Sequence, residues 1–195
     1  MTTEPESGVR TRTRQAIVSA AIAEWARDFA APLNAIAERA DVSRSTLHRY
    51  FVDRQSLVDA ALREAQEVLD NQSAAAVSGC GSAREELESL MRVLVDFGDI
   101  LIFLFADPNR FAGNAEWIEA EDEMLPEIIR RAQAEGAVAD DVEPSWVVGV
   151  YYSICYVAAS AIAADELSRL RSADVAVRTF FHGVAASPTT RPDTH

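Results

Sequence analysis

Between residues 31 and 54 the chain places a small set of hydrogen-bonding side chains at the spacing of two short helices joined by a tight turn. Pro32 stands where a helix has its first residue, and Leu33, Ile36, Ala37 and Ala40 mark an apolar face of barely two turns. Asp41-Val42-Ser43 then breaks the pattern, and Ser43 is placed to cap a second helix running from Arg44 to Tyr50. That helix turns Arg44, Ser45, Thr46, His48 and Arg49 outward, side chains that can donate to base edges or phosphates in a DNA major groove. Ala37, Val42 and Leu47 are left to pack the two helices together. A helix on either side must hold this pair. One runs from about residue 11 to residue 28 with Ile17, Ala21 and Trp25 on its apolar side, and Arg10, Arg12 and Arg14 crowd its start. The other is capped by Asp53 and carries Leu57, Val58, Ala61, Leu62, Ala65, Val68 and Leu69 until it fades by Asn71. A short helix, a three-residue turn, a second short helix and two buttresses make the architecture of a helix-turn-helix reader.

Other chemistries find less support. His48, His182 and His195 lie in unrelated contexts, and no histidine forms a helical ligand pair at three- or four-residue spacing. Cys80 and Cys155 form neither a metal spacing nor a disulfide framework. Gly79-Cys80-Gly81-Ser82 reads as a turn, because the Lys-Ser/Thr ending of a phosphate-binding loop is missing. No nucleophile stands with a base. The expectation is a protein with no catalytic residue, no metal and no cofactor, and therefore not an enzyme.

The chain has 195 residues, 49% of them apolar and 25% charged, with 8 Gly and 7 Pro, and it is rich in Ala, Leu, Glu and Arg. An all-α fold is expected. The formal net charge of −13 opposes nucleic acid at first sight, but it is unevenly spread. Residues 10–54 hold eight Arg and five acids, whereas residues 61–195 hold ten Arg and 23 acids. A mildly basic head and a strongly acidic body suggest two tasks. Residues 144–164 carry no charge over 21 positions, a length that spans a bilayer. Acids precede and follow this segment, where a spanning helix would show basic or aromatic anchors. A buried helix and no membrane are expected, in a cytoplasmic protein.

The organisation follows: disordered ends at 1–9 and 187–195, a DNA-binding domain at 10–62, and a helical ligand-binding and dimerisation domain at 63–186. In the body, Leu87, Leu90, Met91, Leu94, Leu101 and Leu104 form one helical stripe that Pro108 ends, and Asp96 and Asp99 fall on its polar side. A helix from about Ala115 to Ala134 follows, bent at Pro126, then helices at 144–164 and 172–184, eight or nine in all. Phe97, Leu101, Phe105, Trp117, Met124, Tyr152 and Tyr156 are expected to line an apolar cavity for a small aromatic or aliphatic ligand. Glu121 lies in line with Trp117, Met124 and Ile128, and reads either as an exposed acid or as a polar anchor favouring a cation. The 144–164 helix carries two apolar stripes. Val148, Tyr152, Tyr156, Ala159 and Ala163 are assigned to the chain's own core. Val150, Ile154, Val157 and Ala161, with Ala164, are assigned with Val177, Phe181 and Val184 to a four-helix interface in a homodimer.

The stretch from Ile36 through Phe51 (IAERADVSRSTLHRYF), continued by Val52-Asp53-Arg54-Gln55-Ser56-Leu57, resembles the signature of the TetR family of transcriptional regulators. The likeness covers about residues 13–62; beyond it only the order of helices is similar. Three positions differ from the common pattern: Asp41 stands for a turn Gly, and can take the left-handed conformation at modest cost; His48 stands for Tyr; Ala31-Pro32 stands for a Thr before the second helix. The resemblance implies a dimer that sets two recognition helices in successive major grooves of double-stranded operator DNA, with Tyr50 and Arg54 among its DNA contacts and Arg54 at a phosphate. It implies a small-molecule ligand in the body that alters head spacing, with repression ahead of activation as the outcome. The other reading is a helical dimeric adaptor that has lost operator recognition.

Overall fold

The structure, a computed structural model, describes residues 4–107, 109–117 and 124–183. All regular elements among the described residues are helices. Helix α1 spans Glu4–Arg27, starting earlier than the expected residue 11; Pro5 sits in its first turn, where a missing N–H costs no helical hydrogen bond. The short helices α2 (Leu33–Arg39) and α3 (Arg44–Tyr50) follow, with Pro32 and Ser43 at their N-caps. Asp41 takes the left-handed backbone at φ 53°, so an aspartate performs the turn that glycine usually performs. The Oγ of Ser43 accepts the Thr46 N–H at 3.1 Å. Helix α4 (Arg54–Val77) is closed at its start by a reciprocal box in which Asp53 accepts the Ser56 N–H and Ser56 accepts the Asp53 N–H. It runs past Asn71 without a break.

The body departs from the sequence expectation in two places. The stripe from Leu87 to Leu104 is two helices, α5 (Ala83–Asp96) and α6 (Gly98–Phe105), with Phe97 between them at φ −92° and ψ 33°. Residues 115–117, expected to open a helix, lie in turns, and α7, which contains Pro126, spans Met124–Ala134. Helix α8 (Pro144–Ala163) opens on a proline, and α9 (Arg169–His182) ends at Gly183 with φ 68°.

Two apolar clusters organise these helices. The first joins Ile17, Ala21 and Trp25 of α1, Ile36 and Ala37 of α2, Leu47 of α3 and Leu57, Ala61 and Leu62 of α4 to Phe103, Leu104 and Phe111 from the body. The second joins α5, α6, α7, α8 and α9 around Leu87, Met91, Leu94, Leu101, Ile129 and Tyr151. The boundary expected at 62/63 falls inside the unbroken α4, whose length also packs along α5. Helix α8 is long and apolar enough to cross a membrane, yet here it packs among α5, α6, α7 and α9. Its inward stripe is Val147, Tyr151, Cys155 and Ala158 with Ala159, one register step from the expected Val148, Tyr152 and Tyr156, which are half-buried flanks, while Ala163 is exposed. The step is fixed by Tyr151, fully buried, whose hydroxyl donates to the Leu87 carbonyl at 2.7 Å. Burial pushes the neighbouring Cys155 thiol up to about 12 and so makes it inert.

Just after the break, α6 meets α8 at backbone range. A Cβ on Gly98 would stand 2.8 Å from the Cβ of Ala159. Gly98→Ala is expected to cost about 1–3 kcal/mol of overpacking, which outweighs the roughly 0.5–1 kcal/mol that alanine gains over glycine in a helix. Adding Ala159→Gly should return part of that loss. Urea unfolding of both variants checks this; a single variant as stable as the wild type would show that the helices can part freely.

Candidate nucleic-acid interface and its link to the body

Helix α3 has one buried anchor and one open face. Leu47 is fully buried, and Ala37 and the half-buried Val42 pack with it in the head cluster. Arg44, Ser45, His48 and Arg49 are exposed and share a face by four-residue steps. Thr46 is half-buried and its hydroxyl accepts from Ser43 at 2.9 Å, so it also helps to close the N-cap. Tyr50 is half-buried against the head cluster, with the Arg49 guanidinium 5.7 Å from its ring centre. The cap of α4 beside it is charged: hydrogen bonds from the backbone and side chain of Ser56 hold the Asp53 carboxyl below the usual carboxylate range.

Arg54 behaves differently from the sequence expectation of a phosphate contact. Its guanidinium turns inward and donates to the Ala31 carbonyl at 2.7 Å and to the Phe29 carbonyl. It also lies 4.7 Å from the Trp25 ring centre and 5.4 Å from that of Phe29. Burial draws its pKa down from the ordinary arginine value, with Asp28 opposing. The physical reason is local: the turn between α1 and α2 leaves two carbonyls facing the aromatic pair, and a planar fork with several donors satisfies both.

Those aromatics continue into the body. Trp25 stacks on Phe103 at 6.3 Å, Phe103 meets Phe111 edge-on at 5.1 Å, Phe111 stacks on Trp117 at 5.7 Å, and Trp117 meets Phe105 at 6.0 Å. A second cation, Arg110, lies 4.7 Å from the Phe29 ring centre and donates to the Phe103 carbonyl at 2.8 Å. Sequence reasoning missed this bridge. Phe29, Phe103 and Phe111 show no shared periodicity, since they come from a loop, a helix and a turn.

The expected ligand set is divided by the fold. Phe105, 49% exposed, and the half-buried Trp117 belong to the aromatic bridge. Leu94 and Leu101 are buried in the body cluster, Tyr152 and Tyr156 flank that cluster, and Phe97 is half-buried at the helix break. Met124 is 36% exposed at the start of α7, and Glu121 lies outside the described residues. The set is thus shared between the aromatic bridge and the body cluster, with loop 109–117 carrying Trp117 to the bridge.

The expected interface residues are divided too. Val150, Ile154, Val157 and Ala161 line an apolar groove of about 570 Å³ between α8 and α9. The α9 wall of that groove is Val175, Ala176 and Thr179. Val177 and Phe181 pack instead against the body cluster, Phe181 with the Arg84 guanidinium 4.1 Å from its ring centre. Helix α9 begins at Arg169, three residues before the expected start. Ala164 is exposed just past the end of α8, and Val184 lies outside the described residues. Trp146, not foreseen, is 68% exposed at one end of the groove.

Comparison with known proteins bears on the same segment. Residues 17–61 match the family model described as bacterial regulatory proteins, tetR family. Over 187 residues the chain is 29% identical to the HTH-type transcriptional repressor LfrR of Mycolicibacterium smegmatis, covering 95% of this chain and 97% of the relative. It is 25% identical over 162 residues to the HTH-type transcriptional regulator NfxB of Pseudomonas aeruginosa, covering 80% and 85% of the two chains. The crystal structure of LfrR in complex with proflavine superposes with a TM-score of 0.72 at 26% identity, covering 92% of this chain and 99% of that one. A ketosteroid transcriptional regulator of Mycobacterium tuberculosis shares the fold, with a TM-score of 0.69 at 17% identity over 89% of this chain and 95% of that one.

The geometry of Arg54 separates two roles by experiment. Arg54→Ala should lower unfolding stability by about 1–2 kcal/mol, the scale of charge-assisted hydrogen bonds lost to part-buried carbonyls. Arg54→Lys should restore little, since one ammonium cannot replace the fork. A stable Arg54→Ala protein whose DNA affinity loses about one unit of salt slope would assign Arg54 to a phosphate instead.

Proposed function

We propose that this chain, a member of the tetR family of bacterial regulatory proteins, is a DNA-binding transcriptional regulator that represses from an operator and leaves it when a small molecule binds its helical body. The observation that carries the reading is the split of α3 into a buried Leu47 and an open face of Arg44, Ser45, His48 and Arg49. Arginine pairs with guanine edges or phosphates, and Ser and His serve either, so one face can read and hold a duplex. Residues 10–62 form the DNA-reading unit and residues 63–186 the ligand and dimer unit. A working place in the cytoplasm and the absence of enzymatic activity belong to the same reading.

The ligand is read as small and aromatic. The relative LfrR was crystallised with proflavine. In this chain Phe105 and Trp117 offer a partly open aromatic edge, and the bridge behind them reaches Trp25 under the recognition unit. A ligand wedged on Trp117 can bias the head only by preferring one arrangement of that bridge, typically by about 1–3 kcal/mol of coupling.

The dimer is read from the α8–α9 groove. Val157 is 65% and Trp146 68% exposed beside it, an apolar surface that a soluble chain covers with a second copy. The homodimer would pair α8 and α9 of each subunit and so set the distance between two α3 helices.

Fluorescence anisotropy on duplex DNA from upstream of the chain's own gene tests the regulator reading. Arg44→Ala and Arg49→Ala should each weaken binding by about 1–3 kcal/mol, by relaxed sequence preference where a base is contacted and by a shallower salt slope where a phosphate is. Proflavine should release the wild type, and Trp117→Ala should blunt that release while leaving ligand-free binding intact. Unchanged affinity in both arginine variants would leave the adaptor reading standing.

Light scattering tests the dimer. The wild type should show the mass of two chains at micromolar concentration, and Val157→Glu should show one with helicity retained. A folded wild type of single-chain mass contradicts the groove's role.

A further inference from the structure

A second cavity lies where head and body meet, and its chemistry is opposite to that of the apolar groove. It holds about 180 Å³, and its walls include Arg27, Arg39, Asp99 and Arg169, with Gly98 and Ala163 leaving the space open. The three arginines come from three helix ends: Arg27 closes α1, Arg39 closes α2, and Arg169 opens α9. They line one cavity at the head–body junction, in a chain whose net charge is −13.

Their existing partners leave donors unused. Arg39 pairs with Glu24 at 2.9 Å, and Arg169 donates one bond, to the Asp96 carbonyl at 3.2 Å. Among the described residues Arg27 has no ion-pair partner. Each guanidinium carries five N–H groups, so most of the donors that border this small cavity remain open. Asp99 is the opposing acid on the wall; together with Glu24 it leaves the site net positive.

We propose that this cavity binds a small tetrahedral oxyanion, free phosphate or the phosphoryl group of a small metabolite, held between Arg27 and Arg39 of the head and Arg169 of the body. A tetrahedral anion offers oxygens in three or more directions, which suits guanidiniums arriving from three elements, and arginine is the residue that pairs with phosphate through parallel bonds. The volume admits one such ion with a few waters and excludes a nucleotide. Because its holders belong to both units, the anion fixes the head against the body. The site is separate from the aromatic edge and from the recognition face, and does not rest on the operator-binding reading.

Calorimetric titration of the full chain with inorganic phosphate, at ionic strength held constant with chloride and without DNA, tests this. Saturable binding of one phosphate per chain is expected. The pair Arg27→Gln with Arg169→Gln should weaken it at least tenfold, and Asp99→Asn should tighten it several-fold by removing the repelling charge. Arg130→Gln, at an exposed residue of α7 that does not line the cavity, should leave it unchanged. Methyl phosphate binding as well as inorganic phosphate identifies a phosphoryl site, and inorganic phosphate alone identifies a free-ion site; either supports the proposal. A non-saturating titration overturns it, as does an isotherm that the arginine pair leaves unchanged. If the arginine pair fails to fold by circular dichroism, Asp99→Asn decides: no tightening overturns the site.

Discussion

One guanidinium ties the recognition unit together. Arg54 bonds the carbonyls of Phe29 and Ala31 and covers the faces of Trp25 and Phe29, so the turn between α1 and α2, the first residue of α4 and the last turn of α1 become a single knot. Trp25, fully buried, contributes its own bond from Nε1 to the Ala31 carbonyl at 3.2 Å. Aromatic pairs of this kind are worth about 0.5–1.5 kcal/mol beyond their burial, and a partly desolvated cation over a ring adds a similar amount. Helix α3 needs that knot. It has seven residues and one fully buried anchor, and a helix so short has no stability of its own in water.

The same knot reaches residues of α6 and of the turns at 109–117. Phe103 lies against Trp25 on one side and Phe111 on the other, and Arg110 ties its carbonyl to the ring of Phe29. The route from the aromatic edge at Phe105 and Trp117 to the base of α1 is therefore a chain of rings in contact, with two cations, Arg54 and Arg110, on Phe29 at its head end. Close-packed rings have few intermediate positions, which suits a two-state response better than a graded one. The acidic body and basic head divide the electrostatic work in parallel: only the head offers a surface that a phosphate backbone would not repel.

What the sequence made legible was local. Asp41 in the turn, Ser43 and Asp53 at their caps and Pro32 before α2 act within four residues of themselves, and each does what its type and position imply. The open face of α3 was readable for the same reason. Long-range placements were not. Arg54 looks like any basic residue at the start of a helix until the carbonyls of a turn more than twenty residues away are brought beside it. In α8 nearly every position is apolar, so no periodicity says which stripe faces inward; the choice falls to the Tyr151 hydroxyl and its carbonyl partner on α5. Gly98 is silent in sequence because its role is set by Ala159 on another helix. Phe105 and Trp117 were grouped with the body tyrosines by type, whereas the turns at 109–117 carry Trp117 to the head.

Hydrogen exchange in Phe103→Leu checks whether the ring chain through Phe103 couples the body to the recognition unit. The variant should stay folded while amide protection falls in the last turn of α1 and through α2 and α3, with α7 and the first half of α9 unaffected. Protection in α1, α2 and α3 equal to that of the wild type would show that the head holds itself together, and that the rings carry nothing between the two units.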